Sequence, residues 1–299
     1  MISITDYLEL IYTDFKNEID GGRYLCDLKD LTFESNHLPD YSNIQIQRLY
    51  LLRYAFSYCF EYSHIYAKAL ARLDNPDNVA VVSIGCGNFL DYWALVKAVE
   101  KKKKDCNIRY VGIDEIDWNY KVEKREQDEI YFKEGNVVKF FEENEKFISD
   151  IYFFPKSISE FGKEEMKIIV DNFKSKPIIK DKIILCFSIR ANEYSRDRDM
   201  SKTKQIVKAL EENGYMQSNE KNVSWFFSEN KGIISVDSAY RYPQDAYDYV
   251  ISLNEKCDKY IEMGANCKSE CERYLNRKPT TKTGNITYQI IELERIDKK

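Results

Sequence analysis

Residues 79–91 read Val-Ala-Val-Val-Ser-Ile-Gly-Cys-Gly-Asn-Phe-Leu-Asp. A Val-rich apolar run stops at Gly85-Cys86-Gly87, and an amphipathic helical pattern begins at once. A strand that ends in glycines and turns straight into a helix lets backbone N–H groups approach a nucleotide-like ligand. This stretch commits the chain to strand, tight turn and helix, and the remaining pattern is read outward from it.

Further strands are expected at 109–113, 130–132, 150–154 and 183–189. Helices are expected at about 90–103, 139–147, 163–174 and 201–212, with a polar helical stretch between Asp114 and Ile130. Late strands fit 223–227, 232–236 and 285–293, without full crossovers between them. Regular strand–helix alternation predicts an α/β fold: a mostly parallel twisted sheet, helices on both faces and an antiparallel C-terminal edge. Two helical patterns, 3–19 and 43–73, precede it. The expected organisation is a helical N-terminal extension over 1–75 packed on the core. An α/β domain over 76–299 follows, with a helical insertion at about 243–280. The second helix carries Tyr50, Tyr54, Tyr58, Tyr62 and Tyr66, one every four residues, a slowly turning ridge. It reads first as a helix packed on the sheet. Otherwise the ridge, like the 243–280 insertion, offers a surface for a ligand or a partner.

Composition narrows the function classes. A net charge of −5 argues against a strongly basic nucleic-acid binder. No apolar run approaches the ~20 residues that span a bilayer, so no membrane association is expected. Met1–Asp6 has no basic region followed by an apolar segment, and a cytoplasmic location is expected. The eight cysteines read as reduced thiols. Cys257, Cys267 and Cys271 cluster, but a metal would need a fourth ligand, and His37 and His64 are the only histidines. No metal is expected, and two histidines make His-based triads improbable.

In such sheets ligands bind at the carboxyl ends of the strands, which brings together Gly85–Asp91, Asp114-Glu115, Gly135-Asn136 and Pro155–Glu160. The turn has no Gly-Lys-Ser/Thr signature, and position 90, where a dinucleotide fingerprint wants a third glycine, holds Leu90. With Ile84-Gly85-Cys86-Gly87 at the end of the first strand and Val111-Gly112-Ile113-Asp114 at the end of the second, the chain resembles the class I S-adenosylmethionine (SAM)-dependent methyltransferases. The resemblance covers roughly residues 79–240 and implies a Rossmann-like fold and SAM as cofactor. It also implies a cofactor site made of Gly85, Cys86, Gly87, Asn88, Asp91, Asp114 and Asn136. Asp114 would hold the ribose hydroxyls, since a carboxylate accepts both hydrogen bonds of a cis-diol. Asn136 would lie near the adenine amino group. Asp91 would either face the cofactor's amino group or cap its helix. The chain departs from the family at Ser83, where many members are acidic, and at Phe89, where many have glycine.

After the fourth strand, Asp/Asn-Pro-Pro-Tyr/Phe is absent and Phe154-Pro155-Lys156-Ser157-Ile158-Ser159-Glu160-Phe161 stands instead. That argues against typical DNA adenine methylation. Lys156 and Glu160 are the candidate acid–base groups, and Pro155, Ser157 and Arg190 the candidate substrate contacts. The expected function is SAM-dependent methyl transfer to an unidentified acceptor, a small molecule or a protein rather than a large nucleic acid. The alternative is a catalytically degenerate methyltransferase-fold protein that senses the cofactor or binds partners. A nicotinamide-dependent oxidoreductase ranks third, because the glycine spacing is wrong for it.

Overall fold

The structure is a computed structural model, and it describes residues 1–21, 24–33, 37–73, 76–102, 105–190, 193–218, 227–229, 240–263, 267–281 and 286–296. The chain divides into two compact units. Unit 1 comprises Met1–Phe60, Trp118–Glu123 and Ile233–Thr283; unit 2 comprises Glu61–Asp117, Lys124–Gly232 and Gly284–Lys299.

Unit 2 is built on one sheet. Its strands are β1 (Asn78–Ile84), β2 (Asn107–Asp114), β3 (Glu129–Glu134), β4 (Ile151–Pro155), β5 (Lys182–Ile189), β6 (Tyr215–Gln217), β7 (Phe227–Glu229) and β8 (Ile286–Arg295). They are ordered β3-β2-β1-β4-β5-β8-β6, and β7 also pairs with β8. β3, β2, β1, β4 and β5 are parallel, whereas β8 runs antiparallel to β5, β6 and β7. This is the expected mostly parallel, Rossmann-like α/β sheet with an antiparallel edge. β1, β4 and β5 are apolar along nearly their whole length because both faces are covered, whereas edge strand β3 alternates exposed and half-buried residues. The strand order reverses between β1 and β4, and in sheets of this kind ligands bind outside the carboxyl ends of the strands at that switch point.

The helices of unit 2 are α4 (Leu90–Lys101), α5 (Val137–Glu143), α6 (Lys163–Ser175) and α7 (Glu193–Glu212). Asn136 caps α5 by accepting the Val138 N–H, and Gly162 opens α6, with Glu165 reaching back to its N–H. Unit 1 holds α1 (Ile4–Ile19), α2 (Ile44–Tyr50), α8 (Gln244–Ile251), α9 (Asp258–Met263) and α10 (Lys268–Leu275). Ser3 caps α1, whose face of Ile4, Tyr7, Leu8, Ile11, Phe15 and Ile19 is buried. A π-helical turn at 51–55 joins α2 to α3 (Phe56–Arg72), and α3 runs from unit 1 into unit 2.

Three expectations change. The polar segment after Asp114 is not helical. Tyr120 has φ +57°, which an α-helix excludes, and Arg125 folds back to clamp Asp128 through Nε at 2.7 Å and Nη2 at 2.8 Å. α7 begins eight residues before the expected Ser201. Strand β6 was not expected at all. It is three residues long, too short for a period of two to register. Of the late strands, 223–226 and 232–236 lie outside the described residues.

Candidate functional site

The β1–α4 turn is set by backbone conformations that favour glycine. Gly85 has φ +76° and Gly87 φ +55°. A Cβ on Gly85 would stand 2.4 Å from the Ser157 Cβ, so the turn and the segment after β4 touch only because position 85 has no side chain. Ser157 in turn donates its hydroxyl to the Ile84 carbonyl and is 4% exposed. The N–H groups of Gly85 and Cys86 donate to the Ile113 carbonyl, at 2.8 and 3.1 Å. The Gly87 N–H donates to Asp114 Oδ2 at 2.8 Å, and Ile116 N–H to Asp114 Oδ1 at 3.1 Å. These two backbone donors fix the plane of the carboxylate beside the turn.

Phe89, the departure at the turn, has φ +68° and opens α4. Its ring is 5% exposed and packs edge-on against Tyr110 and Phe132. Gly112 makes room for it: a Cβ there would meet Phe89 Cε1 and Cys86 Sγ, each at 2.7 Å. The side chain is therefore stowed against β2 and β3. Asn88 is buried at 4%.

Asp91 makes no side-chain cap for α4. It is 1% exposed, and its two oxygens accept the hydroxyls of Tyr66 (3.0 Å) and Tyr110 (2.7 Å). Loss of solvation pushes its carboxyl up to about 6, against the pull of those hydrogen bonds. Asn136 follows β3 and caps α5. Its Nδ2 donates to Glu115 Oε1 at 2.7 Å and Glu165 Oε1 at 3.2 Å, while its oxygen serves the α5 cap.

Beyond β4 the chain turns through Lys156 at φ +63°. Lys156 Nζ stands 2.6 Å from Glu61 Oε1 and donates to the Ile189 carbonyl at 2.8 Å. Glu61, from α3, is 3% exposed and also accepts the Ser188 hydroxyl. Pro155, Lys156 and Ser157 are thereby tied to the ends of β1 and β5. Lys202 of α7 holds the next residues, donating to the carbonyls of Ile158, Ser159 and Phe161 at 3.0, 3.0 and 2.6 Å. Glu160, within that clamped loop, pairs with Arg190 Nη2 at 3.7 Å. Desolvation raises the Glu160 carboxyl to about 7; Arg190 opposes the shift, and Asp114 and Asp199 add to it. Its side chain keeps 38% of its exposure, so water screens part of these interactions.

The structure therefore brings the glycine turn, Asp114, Asn136, Lys156, Ser157, Glu160 and Arg190 to the carboxyl edge of one sheet, and withdraws Asp91 into the core. Sequence reasoning missed Glu61 and Lys202. The one legible sign of Glu61 was a carboxylate inside the aromatic run Phe56–Tyr66, where a charged residue is costly unless paired.

No family model matches the chain, and no curated protein matches it. Among solved structures, MNMC2 from Aquifex aeolicus is 11% identical over 52% of this chain and 53% of that one, with a TM-score of 0.34; this chain thus spans about half of that structure's length. A SAM-dependent methyltransferase from Archaeoglobus fulgidus is 11% identical over 78% of this chain and 94% of that one, TM-score 0.37. A plantazolicin methyltransferase in complex with SAH is 10% identical over 96% of this chain and all (100%) of that one, TM-score 0.42. Among the described residues no helix is long and apolar enough to cross a membrane.

Proposed function

We propose that the chain is a SAM-dependent methyltransferase acting on a small-molecule or protein acceptor. The observation that carries this reading is the Gly85–Gly87 turn, which grips the Asp114 carboxylate through a backbone N–H at the β1/β4 switch point. The residues fit the cofactor by their chemistry: a glycine turn with two positive-φ glycines, a carboxylate fixed by backbone N–H groups that could accept a cis-diol, and Phe89 packed against β2 and β3. Gly85, Cys86, Gly87 and Asn88 would line the methionine side, Asp114 would accept the ribose hydroxyls, and Asn136 with Glu115 would face the adenine. Bound there, SAM supplies a methyl group already activated on sulfonium, so alignment does most of the catalytic work.

The protein's part is to orient the acceptor and take its proton. Lys156 is committed to Glu61 and the Ile189 carbonyl, so we assign it to holding the loop. Glu160 is the proton acceptor: poised near 7, it is ionised often enough to accept and protonated often enough to return a proton. Arg190 keeps it oriented, and Pro155 and Ser157 shape the wall beside the acceptor. With an acceptor in hand, the rate should rise with pH through about 7 and then level. Glu160→Gln should flatten that rise and lower kcat by about 10²-fold with little effect on SAH binding. An unchanged profile in the variant would remove Glu160 from the chemistry.

A further inference from the structure

Strand β3 ends the sheet of unit 2 on one side. It has six residues, Glu-Ile-Tyr-Phe-Lys-Glu, and no described strand pairs with its outer edge. Such an edge offers backbone N–H and carbonyl groups to another chain, and proteins commonly blunt it with proline, a bulge or a very short strand. β3 has none of these. It holds no proline, and it pairs with β2 in unbroken register from Glu129 to Glu134. At its centre stands Tyr131, 51% exposed.

The edge is complementary to itself. A two-fold axis that pairs two copies of one strand antiparallel keeps every side chain on its own face of the sheet. Residues that meet must then share a face, so the axis passes through one residue, which faces its twin. With Tyr131 on the axis, Glu129 lies opposite Lys133 of the second copy, twice over. Ile130 lies opposite Phe132, also twice. Opposite charges and apolar pairs directly across a ladder stabilise it, and like charges destabilise it. The other registers are worse. An axis at Phe132 sets Ile130 against Glu134 and Tyr131 against Lys133, an axis at Lys133 sets lysine against lysine, and an axis at Ile130 sets Glu129 against Tyr131. The charges are also held loosely within the chain. Glu129 is 3.8 Å from Arg109, but both are more than half exposed, so the pair is weak. Lys133 pairs with Glu143 of α5, and Lys139, 3.7 Å from the same carboxylate, stays with it when Lys133 turns outward.

We propose that β3 is a dimerisation edge, along which a second copy of this chain pairs antiparallel with Tyr131 on the two-fold axis. The surface does not depend on methyl transfer. One strand pair is a small interface, so a dissociation constant of about 1–100 μM is expected. The test is sedimentation velocity of the full-length protein from about 1 to about 300 μM, a range that brackets that constant. Wild type should pass from monomer to dimer across it. Glu129→Lys and Lys133→Glu each set like charges opposite one another twice, and each should weaken dimerisation at least about tenfold. Mixed together, the two variants meet opposite charges at both positions, and a heterodimer should form with about wild-type affinity. Mixing would not repair a damaged fold. A wild-type protein that stays monomeric throughout, a single variant that dimerises as wild type does, or a mixture that associates no more tightly than either variant alone overturns the proposal.

Discussion

Gly85 and Asp91 sit six residues apart and show how differently two site-proximal residues can be constrained. At Gly85 the constraint is double, a positive φ and a neighbouring Ser157 Cβ. Gly85→Ala should therefore lower unfolding free energy by about 1–3 kcal/mol in urea titrations, and Ser157→Gly should restore only the steric share. Asp91 is constrained by its surroundings. Its carboxyl is raised from 3.8 to about 6, so the folded state binds more protons than the unfolded state between those values. The contribution of this carboxyl to stability is then largest below 3.8 and is lost as pH rises through 6, by about 3 kcal/mol for a shift of this size. Asp91→Asn should remove that component, and denaturation midpoints followed from about pH 4 to about pH 7 would show a flatter slope than wild type. An unaltered slope would mean that Asp91 is not the group responsible. The acidic side chain after the turn was legible in the sequence. Its withdrawal to Tyr66 and Tyr110 was not, because both tyrosines come from distant elements.

Elements, more than single residues, make the loop after β4. Strand β4 ends at Pro155, and α3, β5 and α7 then hold Lys156–Phe161 through Glu61, the Ile189 carbonyl and Lys202. The Glu61–Lys156 pair is nearly dry, with side chains 4% and 17% exposed. Lys156→Met would strand a buried carboxylate, and thermal and chemical unfolding should report a loss of about 3–5 kcal/mol. Adding Glu61→Gln should recover part of it, whereas a cost that simply adds would show that the two do not act as a pair. Strand–turn–helix at 78–101 could be read directly, since apolar runs, glycines and helical period coincide there. The segment after Asp114 could not. Its polar, periodic look suggests a helix, but the Arg125–Asp128 clamp and the positive φ of Tyr120 are tertiary choices that override local propensity.

At the scale of the molecule, alternation of strand and helix was sufficient to foresee a mostly parallel sheet with an antiparallel edge, because each βαβ step has few alternatives. The make-up of unit 1 was not foreseeable. It joins 1–60 with 118–123 and 233–283, and no periodicity in one segment names its partners in another. The central proposal is that the glycine turn and Asp114 of unit 2 together form a SAM site. The most direct measurement is calorimetric titration of the full-length chain with SAH, in wild type and in Asp114→Ala. The account predicts one-to-one binding that Asp114→Ala weakens at least about tenfold, with NADH giving no saturable heat. No binding of SAH to the wild-type protein, or equal affinity in Asp114→Ala, would contradict it.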